Sequence, residues 1–488
     1  MKKILTWLFG LLIVLTAIVL IRAHTAFEDK QYAVTEPLNV ISFDEAIAVE
    51  RFAKGIQFKT ISYEDPDKFK PQEFDGLIKH IEISFPLVHQ HMEHKRVNNY
   101  SLVFKLPGSN PGLKPALFMG HTDVVPVDII TRRDWEQEPF SGAVVDGVIW
   151  GRGAMDDKVT VFALLEAMEN LLASNLKAER TIYFAFGHDE EIGGPEGAAA
   201  IAKDFTDQGI EFEFVLDEGG AISEGMIAGI NQPVAIIGVA EKGYANLRLT
   251  VKDIGGHSSQ APDHTAAGIL SQAIVNLENN QFPASLKFTQ FTFDKIGYYT
   301  DLKVRLPMAN LWLFAPLVKN TMLKNPSSAA SIRTTTAATM LQGSSKSNIL
   351  PTEAVATVNF RLFPGDSVAD LVEHAQRVID NPRVEIEPYM ANEASNVSNT
   401  DSYGYKLIEQ TIRRVDSNVL VAPYLVPGGT DAKHFTHLSD SINRFMFVRI
   451  TPDLLNRIHG LNEQIPVEDY ITAVQFFASI IEQAASGN

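Results

Sequence analysis

A-L-F-M-G-H-T-D-V-V-P, residues 116–126, decides the fold class and opens the site. Ala116 to Met119 are all apolar, which reads as a strand buried on both faces. The run stops at Gly120-His121, and an acid, Asp123, follows two positions on. The pattern recurs. I-Y-F-A-F at 182–186 leads into D-E-E-I-G-G at 189–194, and a strand-like run from Phe212 to Leu216 leads into Asp217-Glu218. Between them, G-R-G-A-M-D-D-K at 151–158 precedes helical spacing from Val159 to Leu172. Helices alternating with short buried strands predict an α/β domain with a mostly parallel sheet. Such sheets carry their sites at the carboxyl ends of the strands. His121, Glu190 and Glu218 all fall just after strand-like runs, so the pattern places them on one edge.

The chain has 488 residues, too many for one small core, so two domains are expected. An apolar fraction of 45% and a charged fraction of 21% are those of a globular protein. The net charge of −17 argues against a nucleic-acid partner, which needs a Lys/Arg excess. With no cysteine, the chain has neither a disulfide scaffold nor a thiol nucleophile. At the N-terminus, Lys2 and Lys3 precede an uncharged run from Ile4 to Ile21. These 18 residues would span about 27 Å as a helix, enough to cross a hydrocarbon core. Residues 1–23 therefore read as a membrane anchor or a signal segment, and R-A-H-T-A at 22–26 is a poor cleavage site. The lysine pair predicts the N-terminus inside and the body outside the membrane, in the periplasm or extracellular space, or secreted if the segment is cleaved.

Residues 24–43 read as a polar tether. Residues 44–242 form the first part of the α/β domain. The character changes near Gly243: a strand at Ala245–Val251, a helix at Thr265–Leu277, a strand at Ala354–Leu362, a helix at Ser367–Ile379 and a strand at Val384–Tyr389 suggest a separate α+β layer over 243–391. The stretch 281–340 reads as irregular and aromatic-rich. From 392 to 488 the α/β character resumes, with a helix at Tyr403–Val415, a buried run at Asn418–Val426 and a closing helix at Val467–Ala485. One domain is thus interrupted by another.

Three clustered acids at 189–191 after so apolar a strand imply a compensating cation, because crowded carboxylates repel. Of Asp156 and Asp157, a helix N-cap explains one and leaves the other over. His121 with Asp123 nearby fits a metal histidine whose ring is held by a carboxylate. Together these segments supply imidazole, carboxylate ligands and a spare carboxylate as base, the parts of a two-zinc hydrolase.

The three segments resemble zinc-dependent metallopeptidase family 20, which contains aminoacylase, carboxypeptidase S and glutamate carboxypeptidase. Further matches follow in family order: V-L-D-E-G-G at 215–220, G-G-H-S-S at 255–259, N-I-L-P at 348–351, R-L-F-P-G at 361–365, P-G-G-T-D-A at 427–432 and R-I-H-G-L-N-E at 457–463. The branch it most resembles holds carboxypeptidase S and relatives acting on N-acyl amino acids. The resemblance implies a zinc-exopeptidase catalytic domain interrupted by a ferredoxin-like lid and dimerisation domain, and two Zn²⁺ per subunit. His121 would bind one zinc and His459 the other, with Asp156 bridging. Glu191 would complete the His459 zinc, and Asp217 or Glu218 the His121 zinc. Adjacent strand residues point opposite ways, so only one of that pair serves; similarity to aminoacylase favours Glu218. A cis peptide between Asp156 and Asp157 is implied as well.

Glu190 would then be the general base and Asp123 would orient His121. His257 would supply the oxyanion donor, reaching the neighbouring subunit of a homodimer. Arg361 and Asn348 would hold the substrate carboxylate, and Gly428 and Gly429 would let backbone amides approach it. The expected reaction is hydrolysis of an amide bond beside a free carboxylate, in peptides or N-acyl amino acids. Two other readings are an N-fatty-acyl-amino-acid synthase/hydrolase and an inactive peptide-binding protein; the latter would lack a ligand or the base, and none is missing. Aromatic residues over 281–340, among them Phe282, Phe288, Phe291, Tyr298 and Trp312, would form either an acyl site or ordinary packing.

Overall fold

The computed structural model describes residues 2–36 and 38–487. Four parallel strands lie side by side at its centre: Ile182–Gly187, Ala116–His121, Phe214–Asp217 and Ile442–Arg444. Gly187 pairs with His121, so the ends of these two strands fall level. The segments that follow the parallel strands therefore gather on one edge, as the apolar runs predict. The complete sheet has ten strands and is mixed, with five parallel and four antiparallel pairings. A hairpin of Glu93–Val97 and Ser101–Leu106 adds antiparallel strands on one side. Its loop uses Asn98 and Asn99, both at positive φ, a conformation asparagine tolerates. The sequence hides this hairpin because E-H-K-R-V at 93–97 is almost wholly exposed and shows no apolar alternation. On the other side, Ala221–Ser223 runs antiparallel to Val234–Glu241, while Leu420–Val426 runs parallel to it.

The helix Lys158–Ala173 packs against Ala116–His121 and two further helices, Glu45–Ile56 and Val467–Ala485. It is buried on nearly all faces. Its few polar groups are consumed locally. Lys158 Nζ donates to the carbonyls of Gly55 (3.1 Å) and Phe58 (2.7 Å), and burial pulls its pKa down to about 7. Glu169 accepts from the amides of Leu87 and Val88 at the start of the helix Pro86–His91. The packing fixes the N-terminus of Lys158–Ala173, which carries Asp156 and Asp157.

A second, four-stranded antiparallel sheet is built from Thr335–Gln342, Glu353–Leu362, Gly243–Lys252 and Val384–Asn392. The helices Ala266–Asn279 and Val368–Ile379 cover it and share its own core of Leu247, Leu249, Val358, Leu270 and Leu371. Ser367 and Asp370 cap the second helix reciprocally. Much of the stretch 281–340 is helical, contrary to its irregular reading. Lys287–Ile296, Leu302–Ala309, Leu311–Met322 and Pro326–Ala330 are short, and Pro307 and Pro316 lie inside two of them, which masks the period. Its aromatic residues do not converge on one site. Phe288 packs edge-on to Phe363, Phe282 lies over His374, and Trp312 is exposed.

The first helix, Lys2–Thr25, is almost bare except where its last turns meet the body. There Val19 and Ala23 are buried, Asn310 Nδ2 donates to the Val19 carbonyl (3.0 Å), and Arg22 Nε donates to that of Ala309 (3.2 Å). The segment after it, up to Asp44, has no helix or strand among the described residues and is fastened along the body: Gln31 exchanges hydrogen bonds with both backbone groups of Val421, and Ile41 with Gln475.

One contact tests the packing of the central helix. A Cβ built on Gly55 would stand 2.2 Å from the Phe162 ring. Gly→Ala inside a helix ordinarily gains about 0.5–1 kcal/mol, yet overpacking costs about 1–3 kcal/mol. Gly55→Ala is expected to lower the thermal midpoint, read by differential scanning fluorimetry. A raised midpoint would mean the interface yields.

Candidate metal centre and active site

The two oxygens of Asp156 face different histidines. Oδ1 lies 3.0 Å from His121 Nε2, and Oδ2 lies 2.9 Å from His459 Nε2. Glu218 Oε1 completes the first group, 3.8 Å from His121 Nε2. Glu191 Oε2 completes the second, 3.2 Å from His459 Nε2. Two ligands on one tetrahedral zinc at 2.0–2.2 Å stand about 3.4 Å apart. The four separations bracket that value, so both groups fit a small tetrahedral cation. The other oxygen of Glu191 is buried without a hydrogen-bond partner. The charge balance points the same way: burial first, then neighbouring carboxylates, push the Glu218 carboxyl well above its ordinary pKa, and hydrogen bonds to Asp156 and Glu191 lift His459 to about 10. A divalent cation would balance this set of donors.

Alternation along the strand separates Asp217 from Glu218. Asp217 is therefore removed from the ligand set: its Oδ2 accepts from the Ala432 amide (2.7 Å), and neither ligand group includes it. The adjacent aspartates also divide their work. The peptide joining Asp156 and Asp157 is cis. Asp157 is the N-cap residue of the long helix, accepts from the Thr160 hydroxyl and takes a long hydrogen bond (3.4 Å) from the His121 amide.

Asp123 does more than its spacing suggests. His121 Nδ1 lies 3.1 Å from its carbonyl and 3.4 Å from its carboxylate, which fixes the ring. The same carboxylate accepts from Ser62 Oγ (2.5 Å) and from the amides of Glu190 and Glu191 (both 3.1 Å). It thereby sets a histidine and the adjacent pair of glutamates in one frame. Glu190 belongs to neither ligand group. Burial raises its pKa well above the ordinary carboxyl value, and the His121 charge opposes this.

Sequence reasoning missed the residue that joins the two ends of the site. Glu463 is fully buried. Its Oε1 accepts from the amides of Gly153 (3.0 Å), Met155 (2.9 Å) and Asp156 (3.2 Å), and its Oε2 pairs with Arg152 Nη1 at 2.6 Å. Arg152 Nη2 in turn donates to the Gly460 carbonyl (2.9 Å), beside His459. A second buried pair, Arg444 Nε with Glu241 Oε2 (3.1 Å), holds the Thr430 amide (2.9 Å) and so steadies the 427–432 loop. The only advance signal for these was an acid at the end of the R-I-H-G-L-N-E segment and an arginine between glycines.

The remaining expected residues are dispersed. Arg361 is half-buried, its guanidinium 4.8 Å from the Tyr244 ring; burial lowers its pKa, while Tyr244 and Glu190 raise it. No protein atom lies within 4 Å of a Cβ built on Gly428 or Gly429, so nothing in the chain itself crowds either position. His257 and Asn348 sit together on an exposed two-stranded ribbon, joined by the Ser258 amide to Asn348 carbonyl bond (3.1 Å). They touch neither ligand group among the described residues.

Fold and site together define a metallohydrolase. The family model for peptidase family M20/M25/M40 matches residues 117–483, and the chain belongs to that family. Among curated relatives, the probable carboxypeptidase S-like 2 of Dictyostelium discoideum is 40% identical over 92% of this chain and 88% of its own length. The N-fatty-acyl-amino acid synthase/hydrolase PM20D1 of Xenopus tropicalis is 38% identical over 98% of this chain and 94% of its own. The M20 family metallo-carboxypeptidase Sso-CP2 of Sulfolobus solfataricus shares the fold, with a TM-score of 0.68 at 18% identity over 91% of this chain and all of that one.

Removing the charge of Glu463 tests the junction. Glu463→Gln leaves Arg152 buried beside a neutral amide, and uncompensated charge of this kind costs about 3–5 kcal/mol. The expected result is a lower unfolding midpoint together with a metal affinity weaker by about 10–100-fold, read by equilibrium dialysis and elemental analysis. Unchanged metal affinity would show that Glu463 holds the fold and not the ligands.

Proposed function

We propose that the chain hydrolyses an amide bond next to a free α-carboxylate, in peptides at their C-terminal residue and in N-acyl amino acids, with two zinc ions per subunit. The observation that carries this is the sharing of Asp156 between two ligand groups, beside the unligated carboxylate of Glu190. His121, Asp156 and Glu218 would hold one ion, and His459, Asp156 and Glu191 the other. The chemistry that bound ions would supply there is polarisation of the scissile carbonyl and a lower pKa for water. Glu190 takes the proton of the attacking water and delivers it to the departing amine nitrogen as the C–N bond breaks. A carboxyl whose pKa burial has raised is suited to both halves of that transfer. Asp123 keeps His121 and Glu190 in register. Arg361 and Asn348 pair with the substrate α-carboxylate, where a planar guanidinium matches two oxygens. Gly428 and Gly429 leave room for substrate against the backbone.

The small sheet acts as lid and dimerisation domain. Its edge strand Thr335–Gln342 is mostly exposed, with Met340 and Leu341 open to solvent. Two copies joined there bring His257 of one to the oxyanion formed in the other. The apolar first helix anchors the body to a membrane, and Lys2 and Lys3 keep its start on the cytoplasmic side.

The same machinery run backwards condenses a fatty acid with an amino acid. The name of the Xenopus tropicalis relative, a synthase/hydrolase of N-fatty-acyl amino acids, favours this second reading.

Glu190→Gln is expected to lower kcat on an N-acyl amino acid by about 10²–10⁴-fold, with metal content unchanged. His257→Ala is expected to be poorly active as well. Mixing the two variants restores activity, because a mixed dimer holds one site with both residues intact. Full activity in Glu190→Gln overturns the base; failure of the mixture to recover activity overturns the shared site.

A further inference from the structure

The helix Leu311–Met322, L-W-L-F-A-P-L-V-K-N-T-M, has no buried residue. Of its eight consecutive apolar positions, Leu311 to Val318, four are exposed and four half-buried, with Leu317 at 60% and Trp312 at 59% exposure. Leu302, in the preceding helix, is exposed too. An unpartnered apolar helix of this kind marks an interaction surface.

Three observations say what covers it. The first is position. Asn310, the residue joining helices Leu302–Ala309 and Leu311–Met322, hydrogen-bonds to the carbonyl of Val19 at 3.0 Å. Val19 lies two residues inside the end of the apolar run Ile4–Ile21, about 3 Å below that end at 1.5 Å per residue. Arg22, which closes the run, donates to the Ala309 carbonyl. The corner between the two helices is therefore level with the outer end of that apolar run. The second is charge. Between Gln281 and Arg333 the chain carries seven Lys/Arg and two Asp/Glu, against 42 and 59 over its whole length. Lys303, Lys319 and Lys324 flank the apolar run, a local reversal suited to anionic headgroups. The third is shape. Two cavities of 270 Å³ and 460 Å³ flank Trp312, the first also lined by Arg22 and Phe27 of the N-terminal segment.

We infer that Leu302–Ala309 and Leu311–Met322 form a monotopic element that lies in the surface of an anionic lipid bilayer. Its position argument rests on the reading of Lys2–Thr25 as a membrane helix. Trp312, Leu313 and Leu317 enter the acyl boundary, where tryptophan is favoured, and the lysines meet the headgroups. The body then sits flat on the membrane instead of swinging from a tether. Substrates carrying an acyl chain reach it from the lipid phase.

The absence of cysteine makes the test direct. The full chain carrying a nitroxide at Leu313→Cys or Leu317→Cys is reconstituted in vesicles of phosphatidylcholine and phosphatidylglycerol. Ile13→Cys reports on the anchor, and Ile254→Cys, exposed beside the small sheet, reports on water. Collisions with oxygen and with a water-soluble nickel chelate give depth. Labels at 313 and 317 are expected about 5–10 Å below the phosphates, with 254 in water and 13 deep in the bilayer. If 313 and 317 meet nickel as freely as 254 while 13 stays deep, the inference falls and the anchor stands. If 13 is itself in water, the anchor reading fails, and the depth of 313 and 317 decides the surface independently. Labels at 313 and 317 shielded from both probes mean that protein covers them, which also overturns the inference.

Discussion

The buried carboxylate of Glu463 is the interaction on which the site depends. It is fully inaccessible, and its two oxygens collect three backbone amides from the 153–156 loop and one guanidinium nitrogen. A lone buried carboxylate is costly; one with four donors, one of them cationic, is a fixed point. Here that point lies beneath Asp156, which both ligand groups share, while Arg152 reaches back to Gly460 beside the second histidine. One hydrogen-bonded node thus brings together ligands from opposite ends of the chain. His459 itself takes positive φ, so its loop relies on such external support.

Around this node the protein gathers negative charge with little positive charge to match. Asp156, Glu191 and Glu218 line the centre, and Glu190, Asp217 and Asp431 stand close enough for their fields to couple. Burial pushes most of these carboxyls up; hydrogen bonds from His121 and His459 hold Asp156 low. Both oxygens of Asp431 lack a hydrogen-bond partner. A divalent cation would balance this negative charge, which links the acid-rich segments to metal-dependent hydrolysis. Asp123 holds Glu190 by its backbone amide and not by its side chain, which leaves the carboxylate proposed as the base free of that bond.

Much of this was legible in the residues, for reasons that differ by element. The central strands announced themselves because a strand buried on both faces has no polar positions, as in A-L-F-M and I-Y-F-A-F. The edge strand Glu93–Val97 did not, because an exposed strand carries no apolar pattern. The helices of 287–330 were obscured by internal prolines and by apolar residues that face no core. His121, Asp156, Glu191 and Glu218 were readable as strand-end or helix-start acids and imidazole. His459 came only through the resemblance, since a histidine in a left-handed loop has no local signature. Glu463 was unreadable as a positioning residue: its role exists only once the last segment folds back onto the 151–158 loop, some 300 residues earlier.

The proposed two-ion centre bridged by Asp156 is tested most directly by the metal stoichiometry of purified protein, read by elemental analysis. Wild type is expected to hold two ions per chain, Glu218→Gln and Glu191→Gln about one each, and Asp156→Asn fewer than one, with the folded state checked by circular dichroism. A wild-type value of one, or an Asp156→Asn variant that keeps both ions, would contradict it.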